Sequence, residues 1–178
     1  MLNKLKLVEK SALNQVAAFM ATAARTAPKA KGLDNIDILI INNSKDKNKL
    51  IKKMRQIAKD ADKPGFSRDA KSIEPSPVIV IIGTKTKPIG LTYCRFCGYK
   101  DCDHLLTSKG SCSFNAIDLG IAIGSAVSIA ANFHIDNRIM YSIGKAAMEL
   151  NLFKDKNIKI ALGIPLSAKG KNPFFDRK

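Results

Sequence analysis

Two segments of the chain repeat apolar residues at spacings of three and four, which is the pattern of an amphipathic helix. The first lies within residues 1–25 and is ended by Pro28 and Gly32. The second begins at Ser44 and is ended by the Lys63-Pro64-Gly65 segment. The two stripes consist of Leu13, Val16, Ala17, Met20, Ala23 and Ala24, and of Leu50, Ile51, Met54, Ile57, Ala58 and Ala61. The lysines on the polar side of the second helix predict a solvated surface rather than a nucleic-acid site.

Short, continuous apolar runs predict strands that are buried on both faces. They comprise Ile36 to Ile41 and Val78 to Ile82, and a third strand is predicted from Ile158 to Ile164. Residues 68–73 are interpreted as a short polar connection, and two further helices are predicted from Phe114 to Phe133 and from Ile139 to Leu150. The order strand, helix, strand predicts a βαβ-like layer within an α/β or α+β domain.

The composition is that of an ordinary single domain, residues 1–178. A chain of this length buries about 70% of its unfolded surface, so it needs no disulfides to build a core. It has 30 Lys and Arg against 15 Asp and Glu, and the net charge of +15 indicates anionic partners. Aromatic residues make up only 6% and Trp is absent, which disfavours a base-stacking surface. Nucleic acid is therefore not expected as the partner.

The cellular compartment is predicted from two segments. Met1 to Lys10 alternates Lys with Leu and lacks the apolar core of a signal peptide, so a cytoplasmic protein is expected. Leu119 to Ile135 contains no Asp, Glu, Lys or Arg, but it includes Gly, Ser, Asn132 and His134 and is marginal in length for a bilayer span. We therefore expect a buried helix and no membrane insertion.

All four cysteines of the chain lie in Thr84 to Ser113, a segment without clear periodicity that we interpret as an inserted metal-binding loop. Their spacing is C-x2-C-x4-C-x9-C, and the residues are Cys94, Cys97, Cys102 and Cys112. Clustered cysteines in a reducing compartment are typical of metal ligands rather than disulfides. Four thiolates suit either tetrahedral zinc or an iron–sulfur cluster.

The spacing favours iron and sulfur over zinc, because zinc ribbons usually pair one C-x2-C with another and this chain has a single pair. His104, two residues after Cys102, leaves a mixed Cys and His zinc site as an alternative. Four unliganded buried cysteines are disfavoured, because the segment around them is polar.

The segment Cys94-Arg95-Phe96-Cys97-Gly98-Tyr99-Lys100-Asp101-Cys102 resembles the C-x-x-C-G-Y-x-x-C segment of four-iron ferredoxin-like domains. In those domains a further cysteine downstream completes a [4Fe–4S] cluster. The resemblance therefore implies a [4Fe–4S] cluster here, with zinc as the alternative. The last gap, before Cys112, is shorter in this chain.

A second resemblance covers most of the chain. Residues 27–41 are similar to the A-P-S-x-x-N-x-Q-P-W segment and following strand of nitroreductases, and residues 118–122 and 161–165 resemble their D-x-G-x-A helix and L-G-Y-P turn. Taken together, the chain looks like the uncharacterised ferredoxin-domain-containing proteins. This resemblance implies a nitroreductase-like α/β (α+β) scaffold with a central mixed sheet flanked by helices, and with FMN bound at a homodimer interface.

Carried over residue by residue, the nitroreductase resemblance implies two groups of FMN-binding residues. Near the end of the first helix they are Arg25, Lys29 and Gly32, with Lys31 as a further basic group, and in the C-terminal tail they are Lys169, Lys171 and Arg177. Basic side chains bind phosphate mainly as positioned charges. The family's polar Ser, Asn and Gln are replaced by Lys29, Gly32 and Asp34, and its R-S-x-R motif is absent.

Two features predict close packing. Gly120, Gly124 and Ser128 lie four residues apart, so one face of the long helix has almost no side chains and accommodates a tight helix pair, expected across a dimer interface, or a flavin. The tail contains Phe174 and Phe175, which are too apolar for a solvated end, so we expect the tail to dock, as in nitroreductases on the partner subunit.

Three functions are consistent with these residues. The first is a redox protein that moves electrons between an iron–sulfur loop and a flavin or an external partner that the sequence does not identify. The second is a zinc-stabilised basic module that binds nucleic acid or an acidic protein. The third is a scaffold that has lost its flavin and keeps only the cluster. Catalytic acids and bases are not recognisable in the sequence.

Overall fold

A four-stranded sheet lies between two layers of helices in the computed structural model, which describes residues 4–175. The strands are β1 (Ile36–Ile41), β2 (Val78–Lys85), β3 (Asp136–Asn137) and β4 (Ile158–Ser167). The helices are α1 (Leu5–Thr26), α2 (Ser44–Asp60), α3 (Pro64–Ile73), α4 (Cys102–Thr107), α5 (Ser113–Asn132) and α6 (Tyr141–Glu149). The predicted α/β class, with helices flanking a central sheet, is confirmed.

The strand order is β1-β2-β4-β3, and each pairing among these strands is antiparallel. The mixed sheet and the βαβ-like layer that we expected are therefore wrong. The reason lies in the connection from β1 to β2, which contains both α2 and α3. It returns the chain to the end of the sheet where β1 finished, so that Ile41 pairs with Ile79 and β2 runs back beside β1.

The two faces of the sheet bury two separate apolar layers. One face of β2 (Val78, Val80, Ile82) packs with α1 and α5, and the other (Ile79, Ile81) packs with α2, α3 and α6. Because successive strand residues point to opposite faces, only a continuous apolar run fills both layers. This is why β2 was recognisable from the sequence.

Helix α3 was missed because its start resembles a helix end. Pro64 occupies the first turn of α3, where the missing N–H of proline costs no hydrogen bond. Phe66, Ala70 and Ile73 then follow at helical spacing and are buried against α2 and α6. The segment 68–73, interpreted as a polar connection, is therefore helical. Strand β3 was also missed, since two residues carry no periodic signal.

Helix α6 and strand β4 are in direct backbone contact. A Cβ atom added to Gly144 would overlap the carbonyl of Ala161, and one added to Gly163 would overlap the side chain of Ile143. Glycine is therefore required at both positions by the close approach of the two backbones. This contact fixes α6 on its layer.

β1 lies at the edge of the sheet, and nearby side chains form hydrogen bonds with some of its backbone N–H and C=O groups. The Arg25 guanidinium donates to the carbonyl of Ile36 at 2.8 Å, and the Asp34 carboxylate accepts from the N–H of Ile36 at 3.2 Å. The Asp37 carboxylate accepts from the N–H of Ile38 at 2.9 Å. These contacts use backbone groups that would otherwise be open to a further strand.

The C-terminal tail docks on its own chain. Phe174 is 2% exposed and lies in the layer of α2, α3 and α6, while Arg138 donates to its carbonyl at 2.8 Å. Asn172 donates to the carboxylate of Asp136 at 2.9 Å, and the Arg138 guanidinium lies over the ring of Phe175. Docking was expected, but on a partner subunit. Arg177 lies outside the described residues.

Helix α5 is buried on one side only. It packs against α1 and β2, whereas Ile117, Gly120, Ile121, Gly124 and Ser128 are exposed. A Cβ on either glycine would meet nothing within 4 Å. Among the described residues, α5 is the helix long and apolar enough to cross a membrane, with 39% of its most apolar window buried, and core helices pass the same test. The expectation of a buried helix thus holds for one face.

Residues 86–112, between β2 and α5, form what we call the cysteine loop. It is shorter than the predicted segment Thr84 to Ser113, because β2 continues to Lys85 and α5 starts at Ser113. It also contains α4, a helix of 6 residues that the sequence pattern did not indicate. The loop leaves the same end of the sheet at which β1 begins, since Ile36 pairs with Thr84.

Candidate functional site

The four cysteines predicted as ligands line one cavity. Cys94 and Cys97 lie in the turns before α4, Cys102 is the first residue of α4, and Cys112 directly precedes α5. The cavity has a volume of about 420 Å³, within the range of small-molecule sites in proteins. All four thiols are free; Cys112 is buried and the other three are half-buried. Residues 18 positions apart in the sequence are thus brought to one site.

The backbone around Cys94 is unusual. Tyr93 and Arg95, on either side of it, have φ values of 60° and 53°, and Gly98 has a φ of 79°. Only Gly adopts such values without cost. Turns that contain left-handed residues also occur around anions and iron–sulfur sites. The N–H of Gly98 donates to the carbonyl of Arg95 at 2.9 Å and closes the turn that contains Cys97.

The other two cysteines lie at helix starts. The Asp101 carboxylate caps α4 by accepting from the N–H of His104 at 2.8 Å, and thereby fixes the turn that begins with Cys102. The N–H of Cys112 donates to the carbonyl of Thr86 at 2.9 Å, which joins the two ends of the cysteine loop. Cys112 is also the N-cap residue of the 20-residue helix α5, whose dipole favours negative charge there.

A small apolar cluster lines one part of the cavity wall. It consists of Ile89, Leu105 and Cys112, with Phe114 packed beside them. The ring of Phe114 stacks on Phe96, with centroids 5.6 Å apart. This cluster is separate from the two layers of the sheet, so the loop depends on other contacts for its position.

A buried asparagine supplies one of those contacts. Asn115 is 0% exposed, donates to the carbonyl of Lys87 at 2.7 Å, and accepts from the side chain of Asn35 at 3.0 Å. It therefore ties the start of the loop to the segment before β1. Sequence reasoning missed Asn115; the available signal was a polar residue one helical turn after Cys112, on a face predicted to be apolar.

Asp118 connects α5 to the 3-10 turn Ala30–Gly32. Its carboxylate, 4% exposed, accepts from the N–H of Ala30 at 3.1 and 3.2 Å through its two oxygens. The same turn contacts the cysteine loop, because the ammonium of Lys31 donates to the carbonyl of Gly90 at 3.3 Å. The turn, α5 and the loop thus form one connected unit.

Of the predicted FMN-binding residues, Arg25, Lys29 and Gly32 lie at this end of the sheet. The Lys29 ammonium donates to the carbonyls of Ala24, Arg25 and Ala27, so it caps the end of α1. Gly32 has a φ of 65° and open space around its Cα.

Arg25 forms an ion pair of 2.5 Å with Asp34. Burial raises the pKa of Asp34, but the hydrogen bond from Arg25, a backbone N–H and the nearby Lys29 together lower it more. The pKa of Asp34 therefore lies below its ordinary value. The Arg25 and Lys29 side chains are therefore already bound to other groups of this protein.

Lys169 and Lys171 lie at the opposite end of the sheet. They follow β4, whose residue Leu166 pairs with Val78 at the start of β2. Eight residues of β2 separate the two ends by roughly 25 Å. The two basic groups of one chain are thus too far apart to hold the same phosphate. Arg177 lies beyond the part of the chain that the structure describes.

Neither histidine joins the thiols. The ring of His104 lies edge-on to Tyr99, with centroids 5.4 Å apart. Within residues 4–175, no three His, Cys, Asp or Glu side chains could hold a single ion as they stand. The four cysteines line the cavity, and the chemistry of their thiols suits iron, sulfide or zinc.

Comparisons with known proteins identify the family. A family profile described as "uncharacterized protein containing a ferredoxin domain" matches residues 108–177, a stretch that includes Cys112 but not the other three cysteines. A protein of Archaeoglobus fulgidus, itself uncharacterised, is 42% identical over 170 residues, which cover 90% of this chain and 89% of the relative. The chain belongs to the ferredoxin-domain-containing family. For this ferredoxin-domain protein, membership indicates a redox role.

Solved structures resemble its fold. A BluB-like flavoprotein from Clostridium difficile 630 is 20% identical, with 93% of this chain and 85% of that chain covered and a TM-score of 0.58. A nitroreductase with bound FMN from Bacteroides fragilis is 14% identical, with coverages of 92% and 81% and a TM-score of 0.63. The nitroreductase-like fold of the ferredoxin-domain protein is thereby confirmed.

Proposed function

We propose that this protein is a cytoplasmic electron-transfer protein whose cysteine loop holds a [4Fe–4S] cluster. The observation that carries the proposal is that Cys94, Cys97, Cys102 and Cys112, the complete set of cysteines in the chain, line one cavity. When bound, such a cluster accepts and releases one electron.

The arrangement favours a cluster over a single zinc ion. Zinc ribbons usually pair one C-x2-C with another C-x2-C, whereas this chain has a single such pair. The left-handed residues on both sides of Cys94 belong to a backbone turn, and such turns also occur around anions and iron–sulfur groups. Leu105 and Phe114 close the apolar side of the cavity and limit access of water.

The test is anaerobic purification followed by iron, acid-labile sulfide, zinc and flavin assays, with absorption and EPR spectra. We expect about four irons and four sulfides per chain. Cys97→Ala should lose at least half of the iron, whereas the exposed Ser111→Ala, next to Cys112, should retain it. One zinc per chain without colour would overturn the proposal and favour the zinc-stabilised binding module.

We further propose a homodimer formed through the exposed face of α5. Its residues Gly120 and Gly124 leave room that this chain does not use, and a second copy of α5 would fill it. Gly124→Leu should shift the protein from dimer to monomer in analytical ultracentrifugation, whereas Lys52→Leu on α2 should not. A monomeric wild-type protein at micromolar concentration would refute this proposal.

FMN at that interface is the proposed second cofactor. The nitroreductase-like fold supports it, since a solved relative is described with bound FMN. A second chain could also bring the Lys169 group of one copy to the Arg25 group of the other. Arg25 and Lys29 would have to exchange their present contacts for a phosphate. Titration of the dimer with FMN, followed by flavin fluorescence, tests this; absence of saturable quenching would exclude it.

A further inference from the structure

Two aromatic side chains beside the cysteine cavity are exposed to solvent. Tyr93 is 96% exposed and Phe96 is 70% exposed, and Cys94 lies between them in the sequence. Leu106, on α4, is also exposed. Single exposed apolar residues are common, but these flank one cysteine of the proposed cluster. Aromatic residues and Arg are the types enriched at the centres of protein interfaces.

The loop holds these side chains outward at a cost. Tyr93 and Arg95 both have positive φ values, which are unfavourable for residues other than Gly. The Arg95 guanidinium lies 5.7 Å from the centre of the Tyr93 ring, and Phe96 stacks on Phe114. Stacking on Phe114 therefore holds the Phe96 ring before any partner arrives, which lowers the entropic cost of binding.

The charge of this surface is positive. The exposed residues of the cysteine loop include four cations and two carboxylates: Lys87, Arg95, Lys100 and Lys109 against Asp101 and Asp103. The carboxylate of Asp101 already accepts a hydrogen bond from the N–H of His104. Together with the net charge of +15, this favours a partner with negative charge.

We propose that Tyr93, Arg95, Phe96 and Lys100 form the docking site of an acidic electron-carrier protein, such as a low-potential ferredoxin. The inference rests on the proposed [4Fe–4S] cluster. A partner covering these side chains would lie directly over the cavity, because Tyr93, Arg95 and Lys100 also line it. One electron leaves the reduced carrier, which is oxidised by one electron, and reduces the cluster by one; no atom or proton is transferred. Electron-transfer complexes use small interfaces and depend on electrostatic steering.

The test is the rate of cluster reduction under anaerobic stopped flow, with a photoreduced plant-type [2Fe–2S] ferredoxin as the probe. Arg95→Glu combined with Lys100→Glu should lower the second-order rate constant at least tenfold at low salt and weaken its salt dependence. The matched control is Lys52→Glu with Lys59→Glu, the same charge change on exposed positions of α2. It should change the rate less than twofold. Tyr93→Ser with Phe96→Ser should lower the rate at least fivefold at high salt as well.

Failure of this inference is distinguishable from failure of the proposed function. Iron content and reduction by dithionite report the cluster itself, so the ferredoxin rate constant of each variant is expressed per dithionite-reducible cluster. If the cluster is present and both charge-reversal pairs slow the ferredoxin equally, or neither does, the docking site is refuted. It is also refuted if the loop variants abolish salt-dependent binding of a DNA duplex while the ferredoxin rate is unchanged.

Discussion

The sheet with its helix layers and the cysteine loop are held by different interactions. In the sheet, Ile79, Ile81 and Ile164 are completely buried, and truncating such a residue costs about 2–5 kcal/mol. The loop buries a much smaller cluster around Leu105 and is otherwise positioned by hydrogen bonds such as those of Asn115. The comparison teaches that extensive apolar burial holds the sheet with its helix layers, which we call the body, whereas a small apolar cluster and individual hydrogen bonds hold the loop.

The strongest test of the body is Gly144→Ala. The added methyl would overlap the carbonyl of Ala161, so α6 must move away from β4, at an expected cost above about 4 kcal/mol. Gly65→Ala in α3 is the control, because its methyl meets only the Arg68 side chain at 3.8 Å. Urea unfolding measures both. A Gly144→Ala protein as stable as the control would show that the backbone contact is not needed.

The tail offers a matched pair of adjacent residues. Phe174→Ala should destabilise the protein by about 3–5 kcal/mol, because the ring is buried in the layer of α2, α3 and α6. Phe175→Ala, at a ring that is 58% exposed, should cost less than about 1 kcal/mol. Thermal unfolding followed by circular dichroism distinguishes them. If the two substitutions lowered the melting temperature equally, the Phe174 ring would contribute no more to stability than the exposed Phe175 ring.

Asn115→Ala tests the junction between the body and the loop. It leaves the carbonyl of Lys87 and the amide of Asn35 without their buried partner, which should cost roughly 1–3 kcal/mol. The loop should also become easier to cleave in limited proteolysis. Asn132→Ala, at the exposed end of the same helix, is expected to change neither property. If both variants are cleaved alike, Asn115 does not position the loop.

Removal of the proposed cluster tests the loop directly. After chelation under reducing conditions, backbone amides of the cysteine loop should exchange with deuterium at least tenfold faster, while β2 and β4 keep their protection. Hydrogen exchange with mass spectrometry measures both regions in one sample. Loss of protection throughout the sheet would mean that the body depends on the bound group after all.

The smallest expected effect concerns the ion pair of Arg25 with Asp34, at the end of the sheet next to the loop. The pKa of Asp34 is lowered by folding, so the pair stabilises the protein above about pH 4 and stops doing so as acid protonates the carboxylate. Both side chains are partly exposed, so the contribution at pH 7 is about 0.2–1 kcal/mol. Asp34→Asn should therefore destabilise the protein more at pH 7 than at pH 3, in contrast to the exposed Asp60→Asn. A loss of the same size at both pH values would contradict this.

The sequence predicts those parts in which one residue type dominates. The run of Ile and Val in β2 identifies that buried strand, and the four cysteines identify the candidate site. Strand direction was not predictable, because the run Ile36–Ile41 is equally apolar whether its neighbour is parallel or antiparallel. Asn115 was missed because a single polar residue in an apolar helix gives no sign of its partners, which lie 28 and 80 positions away.

The edge of the sheet has a consequence for how the protein behaves at high concentration. The segment Ile-Asp-Ile-Leu-Ile-Ile of β1 combines β-branched residues with little charge and no proline, which is the composition of segments that stack into amyloid-like fibrils. Arg25 and Asp37 occupy its backbone groups at Ile36 and Ile38, so an incoming strand would have to break those hydrogen bonds first. These two side chains therefore act as gatekeepers against fibril growth from the folded state.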